Sequence, residues 1–224
     1  MGMEGKVVLM TGGSGALGQT VIPAFVSAGA RVIAGDLQPL SRLPAEVTAI
    51  KADVTDEADV HRLVDEAIRT SGHIDALINL VGGFAEGRVV ETDISTWQRM
   101  LTLNLTSAFT LSKAILPHML ERRMGRILHI AARAAVEPFP GAAAYIVSKS
   151  GLVALVRTLS IELSGSGVTV NGILPNTIDT PGNRKAMPNA DPSKWVRPEI
   201  IAHTLVFLAS DEAVQINGAL IPIG

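Results

Sequence analysis

The chain has no cysteine, which excludes disulfides, thiolate metal sites and cysteine nucleophiles together and leaves the redox compartment open. Its five histidines include no pair at metal-ligand spacing, so no metal centre is expected. Lys and Arg number 19 against 21 Asp and Glu, a net charge of −2. The cations are scattered, with no basic stripe to neutralise phosphates, so nucleic acid is not an expected partner. No apolar run approaches the roughly eighteen uninterrupted residues of a membrane span, and the amino terminus enters a strand-like run without the charged, apolar and small-residue regions of a signal peptide. The expected setting is therefore cytoplasmic, away from a membrane. Tyrosine occurs once, at Tyr145, so phenol chemistry has a single address.

What is present is apolar and regularly alternating. A length of 224 residues with 47% hydrophobic content is enough to bury the core of one large domain, and 1–224 reads as a single α/β unit. Short β-branched runs at 6–10, 31–34, 47–51, 76–79, 126–130, 168–174 and 219–223 alternate with segments of helical period. Right-handed crossovers then imply a doubly wound parallel sheet of about seven strands with helices on both faces. Two helices, at about 95–122 and 142–164, are apolar nearly all round and call for cover by a second subunit, which predicts a homodimer or homotetramer. The one long irregular stretch, 175–198, is rich in Pro, Asn and Asp and is a candidate substrate lid.

The first chemical motif is Thr11-Gly12-Gly13-Ser14-Gly15-Ala16-Leu17-Gly18. It holds Gly-x-Gly-x-x-Gly between the first strand and the first helix. Such glycines permit a tight turn and close approach of backbone, and the helix terminus offers free N–H groups to a pyrophosphate, as in a Rossmann dinucleotide site. Asp36 follows the second strand about twenty residues on, where a carboxylate accepts from ribose hydroxyls and repels a 2′-phosphate. Neither the glycine turn nor Leu37 supplies a cation, so NAD(H) is expected over NADP(H). The second motif is Tyr145-Ile146-Val147-Ser148-Lys149. Spacing of i to i+4 stacks phenol and ammonium on one helical face, and a nearby ammonium is expected to lower the phenol pKa toward use in proton transfer.

With Asp53-Val54 after the third strand, Asn79-Leu80-Val81-Gly82 after the fourth, Asn104 in the next helix and Val170-Asn171-Gly172-Ile173-Leu174-Pro175, these motifs resemble the short-chain dehydrogenase/reductase family over essentially the whole chain. The resemblance implies an NAD(H)-dependent oxidoreductase acting on a small-molecule substrate. It places Gly12, Ser14, Gly15, Ala16, Leu17 and Gly18 at the cofactor, with Asp53 and Val54 at adenine and Asn79 and Gly82 on the ribose side. By the same resemblance, Pro175 and Thr177 would be further cofactor contacts. Tyr145 and Lys149 would be catalytic, Lys149 also holding the nicotinamide ribose, and Asn104 would hold a water of the proton relay.

One departure is chemical. The family's serine, thirteen residues before the tyrosine, is here Ala132, within Ile130-Ala131-Ala132-Arg133. Losing a preorganised donor to a carbonyl oxygen costs on the order of a hundredfold to a thousandfold in turnover. A branch of the family typified by dihydropteridine reductase resembles this chain in Gly12–Gly18, in Val81-Gly82-Gly83-Phe84-Ala85, in the missing serine and in the run 179–191 ending near Trp195. Asn79 and Asn104 read like the broader family. Hydride entering a quinonoid dihydropterin needs no carbonyl donor, which leaves open a pterin reductase, a ketone, alcohol or quinone oxidoreductase, and a weakly catalytic dinucleotide sensor. Phe84, Ala132, Arg133, Met187 and Trp195 are the candidate substrate contacts. Arg133 reads as a loop arginine or a replacement donor, and Met187 and Trp195 as a wall for a flat ring or anchors of the loop. His129 reads as a hydrogen-bonded structural residue.

Overall fold

In the computed structural model, which describes residues 2–38, 44 and 46–224, the seven β-branched runs form one all-parallel sheet in the order β3-β2-β1-β4-β5-β6-β7. The strands are β1 (Val7–Thr11), β2 (Arg31–Asp36), β3 (Val47–Lys51), β4 (Ala76–Asn79), β5 (Gly125–Ile130), β6 (Val168–Pro175) and β7 (Leu220–Ile223). Every strand expected from the sequence is present within a residue or two. The order reverses between β1 and β4, and ligands of such sheets bind in the crevice at the carboxyl ends beside that reversal.

Both faces are covered, so β1 is buried along its whole length. Val8 and Met10 pack on one side with Val21 and Phe25 of α1 (Gly18–Ser27) and Leu205 of α7 (Pro198–Ala209). Leu9 joins the other side, with Leu63 of α2 (Glu57–Ser71), Ile115 of α4 (Ser107–Glu121) and Val156 of α5 (Ala143–Glu162).

Two expectations are refined. The helix expected at about 95–122 is α3 (Ile94–Leu101), a π turn at Thr102–Thr106, and α4; the wider turn falls on Asn104, and such turns mark functional positions. The stretch 175–198 is not irregular throughout. It holds α6 (Pro181–Ala186), capped by the Thr180 hydroxyl accepting from the Asn183 N–H, and a 3-10 turn at Pro192–Lys194. Val196 is buried and ties the excursion back, donating to the Thr177 carbonyl and accepting from the Asp179 N–H, both at 2.8 Å. By length and composition α5 could cross a membrane, yet it carries buried Lys149 and packs Val156 into the sheet core.

Candidate active site

Beyond β1 the chain turns at Gly12, which has φ +78°. A Cβ there would meet the Val81 nitrogen at 2.9 Å and the Leu80 carbonyl carbon at 3.0 Å, so only glycine lets this turn lie against the one after β4. The Gly15 N–H donates to the Gly12 carbonyl at 3.2 Å. Asp36 joins two strand ends, accepting from the Ser14 N–H and the Gln38 N–H, each at 2.9 Å. Where α2 is capped by Asp56, which accepts from the Asp59 N–H, α1 has no side-chain cap and no acidic residue in its first turn. Its amino end, with Ala16 and Leu17 leading into Gly18, is electrostatically suited to an anion.

The other candidates for cofactor contact line the same edge. Asp53 accepts from the Thr55 N–H and hydroxyl, while Val54 turns into the core. Pro175 ends β6, and the Thr177 carbonyl receives Val196. Asn79 is placed differently from the ribose contact expected of it. It is 2% exposed, and its side-chain oxygen accepts from the Thr11 hydroxyl at 2.9 Å and the Val81 N–H at 3.1 Å. Its work in this structure is to hold the turn that follows it.

That turn is gripped at its far end by Asn104. The amide oxygen accepts from the Gly83 N–H at 2.9 Å, and the amide nitrogen donates to the Gly83 carbonyl and to the Ser148 hydroxyl, both at 3.0 Å. With the side chain committed, Asn104 positions the turn, and any relay water would have to be held by another of its atoms. Between the two amides sits Gly82, where a Cβ would lie 2.9 Å from Asn104 Oδ1 and 3.1 Å from Lys149 Nζ.

Tyr145 and Lys149 occupy successive turns of α5. Lys149 is 5% exposed and its ammonium donates to the Ile130 carbonyl at 2.7 Å; burial pulls it down to about 8. Burial pushes the Tyr145 phenol up to about 12. The expected lowering of Tyr145 by Lys149 is therefore not a property of this structure, because the ammonium is directed to the strand carbonyl and desolvation of the phenolate dominates. Ser148, unremarked in the sequence, links the cluster: fully buried, it accepts from Asn104 and donates to the Tyr145 carbonyl at 2.7 Å. Its sequence signal was its place inside the Tyr-Lys motif.

Around the phenol the surface is apolar. The half-exposed Phe84 ring meets Tyr145 edge to face, centroids 4.9 Å apart, and Ala132, 4% exposed, ends the strand extension before a 3-10 turn at Arg133–Ala135. Arg133 is ion-paired with Glu137, Nε to carboxylate 2.8 Å, which raises the guanidinium pKa further; this is the contact that the loop-arginine reading calls for. Met187 lies exposed just after α6 and Trp195 partly buried just after the 3-10 turn. Among the described residues the one recorded ring pair is Phe84 with Tyr145, so Trp195 does not stack on it. No group of three or more potential metal-binding His, Cys, Asp or Glu occurs among the described residues.

The chain is similar to known proteins in sequence and fold. Residues 6–191 fit the family model of short chain dehydrogenases. The 3-oxoacyl-(acyl-carrier-protein) reductase of Thermotoga maritima is 29% identical over 100% of this chain and 98% of its own length. The D-threitol dehydrogenase of Mycolicibacterium smegmatis is 33% identical over 97% and 90%. A solved structure assigned to the short-chain dehydrogenase/reductases, from Burkholderia xenovorans, superposes with a TM-score of 0.89 at 31% identity, covering 99% of this chain and 95% of the other. With the reversal of strand order, the glycine turn and the Tyr145–Lys149 pair at one edge, the chain belongs to the short-chain dehydrogenases and is an NAD(P)-dependent oxidoreductase.

Proposed function

We propose that the chain carries out NADH-linked interconversion of a ketone and a secondary alcohol, with Tyr145 transferring the proton. The observation that carries this reading is the cluster of Tyr145, Ser148, Lys149 and Asn104 set against Gly82 at the carboxyl edge of β4 and β5. The reductase and the threitol dehydrogenase similar to this chain are named for ketone and alcohol chemistry. When bound, the nicotinamide supplies or accepts the hydride. The glycine turn and the uncapped α1 terminus fit its pyrophosphate, and the Asp36 carboxylate, which spends two of about four lone-pair sites on backbone N–H groups, keeps acceptors for ribose hydroxyls.

At neutral pH a phenol pushed up to about 12 stays protonated, so Tyr145 is set as the acid that quenches an alkoxide. Lys149, protonated below about pH 8, places a positive charge beside Gly82. Asn104 and Ser148 hold the turn and the α5 backbone that carry these groups.

A second acceptor class is favoured by one observation. Ala132 presents a methyl group where the family's serine polarises a carbonyl, and Arg133 is held by Glu137. An acceptor that draws hydride into a conjugated ring, a quinone or a quinonoid dihydropterin, needs that donor least. The same alanine suits a dinucleotide sensor with residual turnover. NADH oxidation with simple ketones, quinones and quinonoid dihydropterin separates the three: the best acceptor names the class, and binding of NADH with turnover of none leaves the sensor. We further propose self-association through α3, α4 and α5, whose exposed Ile94, Phe109, Val147 and Ile161 would be covered in a homodimer or homotetramer.

A further inference from the structure

Thr11, Asn79, His129 and Gly172 form one rung across four adjacent strands. His129 is 0% exposed and belongs to none of the chemistry described so far. Its surroundings fix every hydrogen on the rung. The single hydroxyl hydrogen of Ser112 goes to the Ala108 carbonyl at 2.7 Å, so Ser112 Oγ, 3.1 Å from His129 Nε2, can only accept from it. The imidazole proton therefore sits on Nε2, and Nδ1 is bare. Nδ1 faces the Asn79 amide nitrogen at 3.5 Å. That contact is long, yet its polarity is forced from both ends, since the Asn79 oxygen is already claimed by the Thr11 hydroxyl and the Val81 N–H. A proton on Nδ1 would set donor against donor, and relief by rotation of the amide would turn its NH2 onto the Val81 N–H.

We infer that His129, held by Ser112 as the neutral Nε2–H tautomer, is a positioning residue for the nicotinamide cofactor. It fixes the Asn79 amide and thereby the turn that brings Gly82 beside Lys149. The inference rests on the reading of that turn as part of the cofactor site. Burial, with the Lys149 charge as the smaller cause, holds the imidazole neutral, its pKa down to about 3.

The test combines a spectrum with two substitutions. In 15N-histidine-labelled protein, long-range proton–nitrogen correlations should show His129 protonated at Nε2 alone from pH 5 to 8; a proton on Nδ1 overturns the inference. His129→Asn puts an amide oxygen at the same bond distance from Cβ as Nδ1, so the acceptor facing Asn79 is kept. His129→Leu fills more of the space without an acceptor. Loss of one buried hydrogen-bond partner predicts an NADH Kd raised about tenfold in the Leu variant, against about twofold in the Asn variant, with kcat at saturating NADH near the parent value in both. A purely packing role reverses that order, because Leu leaves the smaller cavity. Ser112→Ala checks the relay without touching His129: it should release the tautomer and weaken NADH by several-fold. If the parent binds NADH and the Leu variant binds it equally well, the inference fails alone. If the parent binds neither NADH nor NADPH, the reading of the site fails and takes the inference with it.

Discussion

Acidification tests the buried imidazole through stability, independently of any ligand. His129 is held from an ordinary 6.5 down to about 3 by desolvation, with the Lys149 charge as the smaller cause. The unfolded chain takes up this proton first, so the contribution of His129 to stability falls as pH drops below 6.5 and goes on falling toward pH 3. Linkage between these two values gives a loss of about 2 kcal/mol between pH 7 and pH 5 from this one residue. His118 acts in the same direction: its Nε2 accepts from the Ile74 N–H at 3.1 Å, and desolvation with the nearby Arg122 lowers its pKa. The measurement is therefore a difference of differences. Urea midpoints at pH 5, 6 and 7, at fixed protein concentration, should decline more steeply for the parent than for His129→Asn, which keeps His118 but cannot titrate at 129. Parallel declines in the two proteins would show that the imidazole is protonated or solvent-relaxed in the fold, and would refute the reasoning.

Four further outcomes follow from the site. Tyr145→Phe should cut turnover about a hundredfold to ten-thousandfold while NADH affinity, read by fluorescence titration, stays near parent. In the parent, NADH affinity should weaken as pH rises through about 8, where Lys149 loses its proton, and Lys149→Met should abolish that pH dependence; a limb that persists in the variant assigns it to another group. Asp36→Ala with Leu37→Arg should narrow or reverse a preference for NADH over NADPH, which equal binding of both by the parent would already contradict. Ala132→Ser should raise turnover of simple ketones while leaving a conjugated acceptor nearly unchanged, so a large gain with the best natural acceptor refutes the account of the alanine.

What the sequence disclosed is what depends on local pattern. The β-branched runs foretold seven strands because both faces of a parallel sheet are covered, and i to i+4 spacing placed Tyr145 and Lys149 on one side of α5. The π turn at Asn104 was hidden, since one widened turn leaves the apolar pattern of α3 and α4 almost intact. Order in 175–198 was hidden too, because it comes from Val196 reaching back to Thr177 and Asp179 and not from local propensity. The direction of the Tyr145 shift was misjudged for a related reason: spacing says that an ammonium is near, and only the fold says that it donates to Ile130.

The rung through Asn79 and His129 carries this furthest. These residues lie fifty positions apart, and read separately one looks like a ribose ligand and the other like an inert core histidine. Only the register of β4 against β5 brings them face to face, and only the hydroxyl of Ser112, on a third element, decides which imidazole nitrogen holds the proton. A polar side chain buried at the carboxyl end of a central strand has to be satisfied by its neighbours. Here those neighbours also set the two turns of the proposed cofactor site: the Thr11 hydroxyl meets Asn79 at the glycine turn, and the Val81 N–H meets it on the way to Gly82. On that proposal, satisfying the buried groups and shaping the cofactor edge are one arrangement, so a substitution deep in the sheet is expected to alter cofactor affinity while leaving Tyr145 and its proton in place.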